Sequence, residues 1–267
     1  METLVIRGSH GQTHVLKDLE AISHHACSLF IRFASDSLAR KETFAVALSG
    51  GSTPKRFYVL LGSDPYRNQI DWRRVHCFWA DERCVPQDHE DSNFRMAFDL
   101  LLSKVSIPSE NLHRIKGEGI PERSAKDYED TLVRFFGDSG FPVFDLIILG
   151  MGEDGHTASL FPGSKWLEER KRFAVPVYME RPNLDRVTLT LPVLNQAAQI
   201  LFLVAGYSKA AVLHHVLEDG FQATRYPAGL VHPIRGDLTW LIEEEAASQL
   251  DWRSVHEKRE RKEIDDR

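Results

Sequence analysis

A histidine lies among glycines and acids in the stretch GMGEDGHTASLFPG, residues 150–163. Asp154 precedes His156 by two positions, and Gly150, Gly152 and Gly155 flank the pair. A histidine can take or give a proton near neutral pH, and the glycines allow close approach of a ligand to the backbone. The stretch therefore predicts a general acid or base, with a hydrogen-bonded structural histidine as the alternative.

A second glycine-rich turn, SGGSTP at residues 49–54, could hold a phosphate. Gly50 and Gly51 would let backbone N–H groups turn toward an anion at the start of a helix, together with Ser52. We expect Thr53 to be the N-cap of that helix and Pro54 its first residue. The turn has neither the lysine of a P-loop nor the GxGxxG pattern, and a plain strand-to-helix turn is the alternative.

Charged side chains follow two further apolar runs. Asp81 and Arg83 come directly after one run, where a solvated strand end is the alternative interpretation. Lys209 lies near a helix start, a position that disfavours a cation unless an anionic ligand compensates it, although an exposed lysine would look the same. Arg186 opens a strand at its opposite end, so the pattern alone does not place it.

The elements that must position these residues alternate between apolar runs and helical patterns. The runs predict buried strands at Phe44–Leu48, Val75–Trp79, Phe144–Leu149, Val187–Leu191 and Ile200–Val204. Helical spacing is found at Ala21–Leu38, Phe57–Leu61, Ser92–Leu102, Ser124–Phe136 and Ser208–Leu217. This alternation predicts an α/β fold with an open, mostly parallel sheet and helices on both faces. In such sheets, ligands bind beyond the carboxyl ends of the strands.

Composition limits the class of protein. The 267 residues are 42% hydrophobic and 27% charged, with a formal net charge of −6, which disfavours nucleic-acid binding. No apolar run is long enough to span a membrane, and three cysteines without paired spacing favour a reducing compartment, so we expect a cytoplasmic protein. We predict one domain over residues 1–247 and a charged, solvated C-terminal tail over 248–267.

Taken in order along the chain, the motifs resemble the 6-phosphogluconolactonase family. They are SGGSTP (49–54), WADER (79–83), SNFRM (92–96), GMGEDGHTASLFPG (150–163), RVTLT (186–190), AGYSK (205–209) and GDLTWLIEEEAA (236–247). The resemblance covers about residues 16–247. It implies a Rossmann-like fold shared with glucosamine-6-phosphate deaminases and ribose-5-phosphate isomerases. It also implies hydrolysis of 6-phospho-D-glucono-1,5-lactone to 6-phosphogluconate in the oxidative pentose phosphate pathway, with neither cofactor nor metal.

The resemblance also implies roles for the candidate residues. His156 would activate water and then protonate the departing ring oxygen, and Arg83 would stabilise the oxyanion. Asp154 or Asp81 would orient the histidine or the water, and the sequence leaves open whether His156 or an aspartate is the base. The substrate phosphate would be held by the first turn and two cations, namely Gly50, Gly51, Ser52, Thr53, Lys209 and Arg186.

Two alternatives belong to other functional classes. The related deaminases place a glutamate five residues beyond the histidine and an aromatic residue after their Asp-Glu pair, whereas this chain has Phe161 and Arg83 there. A sugar-phosphate sensor would keep the phosphate turn without needing both His156 and Arg83. Hydrolysis of a small sugar-phosphate lactone is therefore the prediction, with a monomer and a homodimer both left open.

Overall fold

The computed structural model describes residues 4–8, 11–180, 184–219 and 223–251. The strands are β1 (Leu4–Gly8), β2 (Gly11–Leu16), β3 (Phe44–Leu48), β4 (Val75–Trp79), β5 (Asp81–Arg83), β6 (Leu146–Gly150), β7 (Ala174–Val177), β8 (Arg186–Leu189), β9 (Gln199–Val204) and β10 (Asp237–Glu243). The α-helices are α1 (Leu19–Leu38), α2 (Thr53–Leu61), α3 (Asn93–Leu100), α4 (Pro121–Phe136), α5 (Leu191–Leu194) and α6 (Ala210–Leu217). Across these described ranges, no helix has the length and apolar character needed to cross a membrane.

The main sheet has seven strands in the order β1-β2-β10-β9-β6-β3-β4. Every neighbouring pair from β2 to β4 is parallel, and β1 is an antiparallel edge strand. All five residues of β3 are buried, because helices cover both faces of a parallel sheet and leave no polar side. The predicted open, mostly parallel α/β sheet is confirmed.

A second, three-stranded sheet has the order β5-β8-β7 and is antiparallel throughout. The apolar run at Val187–Leu191 was expected to form a strand of the parallel sheet. Instead, its residues 187–189 belong to β8 of this second sheet, and Leu191 begins α5. An apolar run has the same pattern in either setting. Because β8 is antiparallel to β5, its first residue, Arg186, pairs with Arg83, the last residue of β5.

Most of the buried apolar side chains form one continuous cluster between Val15 and Leu250. At its centre the rings of Phe202 and Trp240 stack with their centroids 3.9 Å apart. A single core is consistent with one domain. The predicted boundary between this domain and the tail, at residue 247, stays a prediction. Leu250, which the sequence places in the solvated tail, is buried against this core. Residues 252–267 of the predicted tail lie outside the described residues.

Candidate active site

A cleft of about 200 Å³ opens at the carboxyl ends of β3, β6 and β9. Every predicted site residue except Asp154 lines this cleft, although the residues are up to 159 positions apart (209 − 50). The other lining residues are Ser49, Pro54, Asn93, Gly150, Met151, Gly152 and Ala158. The expected position, beyond the carboxyl ends of parallel strands, is therefore where the structure places the cleft.

The SGGSTP turn leads from β3 into α2. Ser49 is fixed from two sides, since its hydroxyl donates to the carbonyl of Ile148 at 2.6 Å and its N–H donates to the Tyr58 hydroxyl at 3.2 Å. Gly51 has a φ of +99°, which favours glycine. Thr53 is not the N-cap as expected: Ser52 already has helical angles, and Thr53 is the first residue of α2. The Ser52 side chain makes no capping hydrogen bond.

The turn after β6 holds His156 at the cleft. Its Nδ1 lies 2.5 Å from Oδ1 of Asp154, and its backbone N–H donates to the same oxygen at 3.1 Å. The Gly152 N–H closes the turn on the His156 carbonyl at 2.8 Å. A Cβ at position 152 would overlap the His156 ring, so glycine is required there. Asp154 thus lies behind the histidine and leaves Nε2 as the ring nitrogen available for proton transfer.

The Asp154 carboxylate stays ionised beside this ring. Burial alone would raise its pKa, but the hydrogen bonds from His156 and the charge of the protonated ring lower the pKa below its ordinary value. The His156 side chain is 28% exposed and that of Asp154 is 51% exposed. An ionised carboxylate on Nδ1 stabilises the imidazolium that forms when Nε2 accepts a proton.

Two guanidinium groups in the cleft lack a full set of partners. Arg83 donates from Nη1 to the carbonyl of Asp91 at 2.7 Å, and Arg186 reaches the Ser159 hydroxyl at 3.5 Å. The Nε atoms of both arginines are buried and have no hydrogen-bond partner among the described residues. Burial lowers the pKa of Arg186, and the negative charge of Asp81 opposes this shift. Buried Nε donors without a partner, on two half-buried cations, fit an anionic ligand that completes their hydrogen bonds.

The other charged residues of the cleft are held by neighbours. Asp81 is 5% exposed, and its carboxylate accepts hydrogen bonds from the Ser159 hydroxyl at 2.6 Å and the Asn93 amide at 3.3 Å. Lys209 is only 20% exposed and lies 3.8 Å from the exposed carboxylate of Glu153. Cations therefore outnumber carboxylates at the cleft wall, which favours a negatively charged ligand.

The family model described as glucosamine-6-phosphate isomerases/6-phosphogluconolactonase matches residues 17–240. The chain belongs to this family. The resemblance inferred from the motifs is therefore confirmed.

Relatives and solved structures agree with this family. The chain is 38% identical over 242 residues to the 6-phosphogluconolactonase of Synechocystis sp., covering 90% of this chain and 98% of that protein. It is 40% identical to the chloroplastic 6-phosphogluconolactonase 3 of Arabidopsis thaliana, covering 81% and 68% of the two chains. The crystal structure of a 6-phosphogluconolactonase from Thermotoga maritima matches with a TM-score of 0.74 and 31% identity, covering 86% of this chain and 98% of that one.

Phe161, at the position where the sequence resemblance implies a glutamate in the deaminases, packs against both His156 and Arg186. Its ring centroid lies 4.6 Å from that of His156, and the Arg186 guanidinium lies 5.4 Å from it. An aromatic ring supports a histidine and a cation through packing and cation–π attraction, but it cannot relay a proton. The contact therefore fits hydrolysis better than ring opening and isomerisation.

The sequence analysis missed two polar side chains that contact the predicted residues. Neither Asn93 nor Ser159 was assigned a role from the sequence, yet both bind Asp81. Asn93 belongs to the SNFRM motif, so its signal was present. Ser159 lies 78 positions from Asp81 in the chain, and only the folded structure joins them. Among the described residues, no group of three or more His, Cys, Asp or Glu side chains could hold a metal ion.

Proposed function

We propose that the cleft hydrolyses 6-phospho-D-glucono-1,5-lactone to 6-phosphogluconate, the reaction for which the relatives are named. The chain is an enzyme of the hydrolase class. The observation that carries the assignment to this cleft is the His156–Asp154 pair, which lies beside Arg83 and Arg186, two arginines with unpartnered Nε atoms. The pair supplies a base, and the positive charge of the arginines complements the negative charge of the substrate.

In the proposed reaction, His156 removes a proton from water through Nε2 while the water oxygen attacks the lactone carbonyl carbon. Asp154 holds the other ring nitrogen and stabilises the imidazolium. Arg83 stabilises the negative charge on the carbonyl oxygen. When the bond from the carbonyl carbon to the ring oxygen breaks, the imidazolium returns its proton to that oxygen. The products are a hydroxyl group and a carboxylic acid, which releases its remaining proton to the solvent and becomes a carboxylate.

The proposed phosphate site is formed by residues 50–53, Lys209 and Arg186, which line the same cleft. The start of α2 and the conformation of Gly51 support it, because backbone N–H groups at a helix start favour anions. Asp81 is the weaker candidate for the base, since Ser159 and Asn93 already occupy its oxygens. Its proposed role is to position Ser159 and to balance the charge of Arg186.

The test is a coupled assay that starts from freshly generated lactone and consumes 6-phosphogluconate. Wild-type protein should exceed the spontaneous rate, and His156→Ala should lose about 10²- to 10⁴-fold of this acceleration. His24→Ala is the control, because His24 lies outside the cleft and binds Tyr66. Absence of acceleration by wild type would overturn the function, whereas full activity of His156→Ala would overturn only the choice of base.

The cytoplasmic location predicted from the sequence is part of this proposal. The Arabidopsis relative is named as chloroplastic, so the test must distinguish the cytoplasm from an organelle. A fluorescent fusion of the full chain, followed by cell fractionation with activity measured in each fraction, tests the location directly.

A further inference from the structure

Glu82 is a buried carboxylate that lies between two cleft residues and takes no part in the proposed reaction. It is 3% exposed and does not line the cleft, whereas Asp81 and Arg83 on either side of it do. Acidic side chains are seldom fully buried unless partners hold them. Its partners therefore indicate what it does.

The Glu82 carboxylate accepts four hydrogen bonds. Oε1 accepts from the N–H groups of Arg83 at 2.8 Å and Asn93 at 2.7 Å. Oε2 accepts from the Phe94 N–H at 2.7 Å and the Ser92 hydroxyl at 3.1 Å. Asn93 and Phe94 are the first two residues of α3, so one side chain fixes this helix start to the strand that carries Arg83.

The start of α3 contacts three parts of the cleft. The Asn93 amide donates to both the carbonyl and the carboxylate of Asp81, at 3.0 and 3.3 Å. A Cβ at Gly50 would overlap the Asn93 side chain, so the proposed phosphate turn packs directly on it. The Arg83 guanidinium donates to the carbonyl of Asp91, just before the helix. A shift of α3 would therefore displace Asp81, Arg83 and the phosphate turn together.

No lysine or arginine among the described residues forms an ion pair with Glu82. Burial raises the pKa of Glu82 to about 7, although hydrogen bonds from Asn93, Phe94 and Arg83 act in the opposite direction. The four donors and the positive end of α3 are what stabilise its charge. Because each carboxylate oxygen of Glu82 accepts two hydrogen bonds from fixed donors, this side chain fits a structural anchor better than a mobile proton carrier.

We propose that Glu82 is a positioning residue for the hydrolysis, which orients Arg83 and, through Asn93, Asp81. This inference rests on the proposed function of the cleft. The positioned groups act in the transition state, since Arg83 meets the oxyanion. Loss of Glu82 should therefore lower kcat more than it raises KM.

The test compares Glu82→Gln with a matched variant, Glu129→Gln. Glu129 is also a mostly buried carboxylate, with hydrogen bonds from Arg172 at 2.8 Å, the Phe173 N–H at 2.8 Å and the Ala174 N–H at 3.4 Å, but it lies outside the cleft. In Glu82→Gln, an amide NH₂ group replaces one carboxylate oxygen and opposes two of the four donors. We expect kcat to fall about 10- to 100-fold with KM within about threefold in this variant, because small misplacements reduce turnover strongly. We expect Glu129→Gln to keep kcat.

Amide hydrogen exchange gives a readout that does not need turnover. The Asn93 and Phe94 amides should exchange faster in Glu82→Gln and not in Glu129→Gln. If wild type fails to hydrolyse the lactone, the proposed function falls, and unchanged exchange in Glu82→Gln would separately overturn the anchoring. Equal losses of kcat and stability in both variants would mean a purely structural role and would also overturn the proposal.

Ser92→Ala keeps the test decisive if Glu82→Gln does not fold. It removes one donor to Glu82 and the side-chain cap that accepts from the Arg95 N–H. We expect a small decrease in the midpoint of urea unfolding, which a folded protein tolerates. The kcat should fall by about 3- to 10-fold at unchanged KM, a smaller misplacement than in Glu82→Gln. An unchanged kcat in this folded variant would contradict the positioning role.

Discussion

Charged side chains at the two ends of the parallel sheet differ in how fully the protein itself supplies their hydrogen-bond partners. At the amino end, Asp145 precedes β6, and its oxygens accept from the Ser37 hydroxyl at 2.9 Å, the Ala45 N–H at 2.8 Å and the Lys41 ammonium at 2.7 Å. At the carboxyl end, the Nε atoms of Arg83 and Arg186 are buried without a partner. Charge at one end is satisfied within the protein, whereas charge at the other end requires a ligand.

The same contrast holds between two arginines. Arg74, just before β4, donates to the carbonyls of Leu38, Lys41 and Glu42 at 3.0, 2.7 and 2.8 Å. Arg83, just beyond the same strand, makes one such bond, to the carbonyl of Asp91. Nε and Nη2 of Arg74 are therefore bound by the protein itself, as expected of an architectural residue, whereas Nε of Arg83 has no partner in the described part of the chain and can serve a ligand.

The largest effect should come from Arg83→Met. We expect kcat/KM to fall about 10²- to 10³-fold, as when an oxyanion donor is removed, with the free energy of unfolding changed by less than about 1 kcal/mol. Arg74→Met is the matched control and should lose stability while it keeps kcat/KM. Lactone hydrolysis and urea unfolding measure the two quantities. Near-normal turnover by Arg83→Met would contradict the conclusion that only the carboxyl end of the sheet carries residues needed for catalysis.

Asp145→Ala should give the next largest effect, on stability alone. Removing the carboxylate leaves the Ala45 N–H and the Lys41 ammonium without their acceptor, which should cost about 2 to 3 kcal/mol of unfolding free energy. Urea denaturation measures this loss, and kcat should stay at the wild-type value. Asp145→Asn keeps one acceptor oxygen and should lose less. If Asp145→Ala impairs kcat in the folded protein, the amino end is not purely architectural.

The increase in Tm on binding inorganic phosphate should depend on an arginine at the carboxyl end of the sheet and not on one at the amino end. A ligand at ten times its dissociation constant stabilises the folded state by about 1.4 kcal/mol. Phosphate should therefore raise the Tm of wild type and of Arg74→Met, and it should raise that of Arg186→Met much less. Differential scanning fluorimetry at constant ionic strength, with chloride as the reference salt, makes this comparison. Equal shifts in all three proteins would place the anion elsewhere.

The smallest effect concerns the backbone of the cleft. Ala158 lines the cleft with a φ of +49°, a left-handed conformation that costs about 1 kcal/mol for alanine. Ala158→Gly relieves this cost but increases the entropy of the unfolded chain, so unfolding free energy should change by less than about 0.5 kcal/mol. Ala125→Gly, inside α4, should cost about 1 kcal/mol. A loss at Ala158 as large as at Ala125 would mean that the turn is unstrained.

Continuous apolar runs made the central strands predictable, and β3 and β4 have the predicted bounds. The strand β5 consists of the three charged residues Asp81–Arg83, so no hydrophobic pattern could predict it. The small sheet and the position of Arg186 could not be predicted either, because both depend on antiparallel pairing with β5. The glycines and His156 were predictable from local chemistry, whereas the Ser159–Asp81 bond depends on the complete fold.

The cleft is assembled from six separate stretches of the chain, around residues 49–54, 81–83, 93, 150–158, 186 and 209. They meet only after β6 has paired with both β3 and β9 and after β8 has paired with β5. Such long-range pairings form late, since their loops must close first. During refolding, the recovery of turnover will therefore report when the final strand pairings form. It will be slower than the recovery of the helical circular dichroism signal.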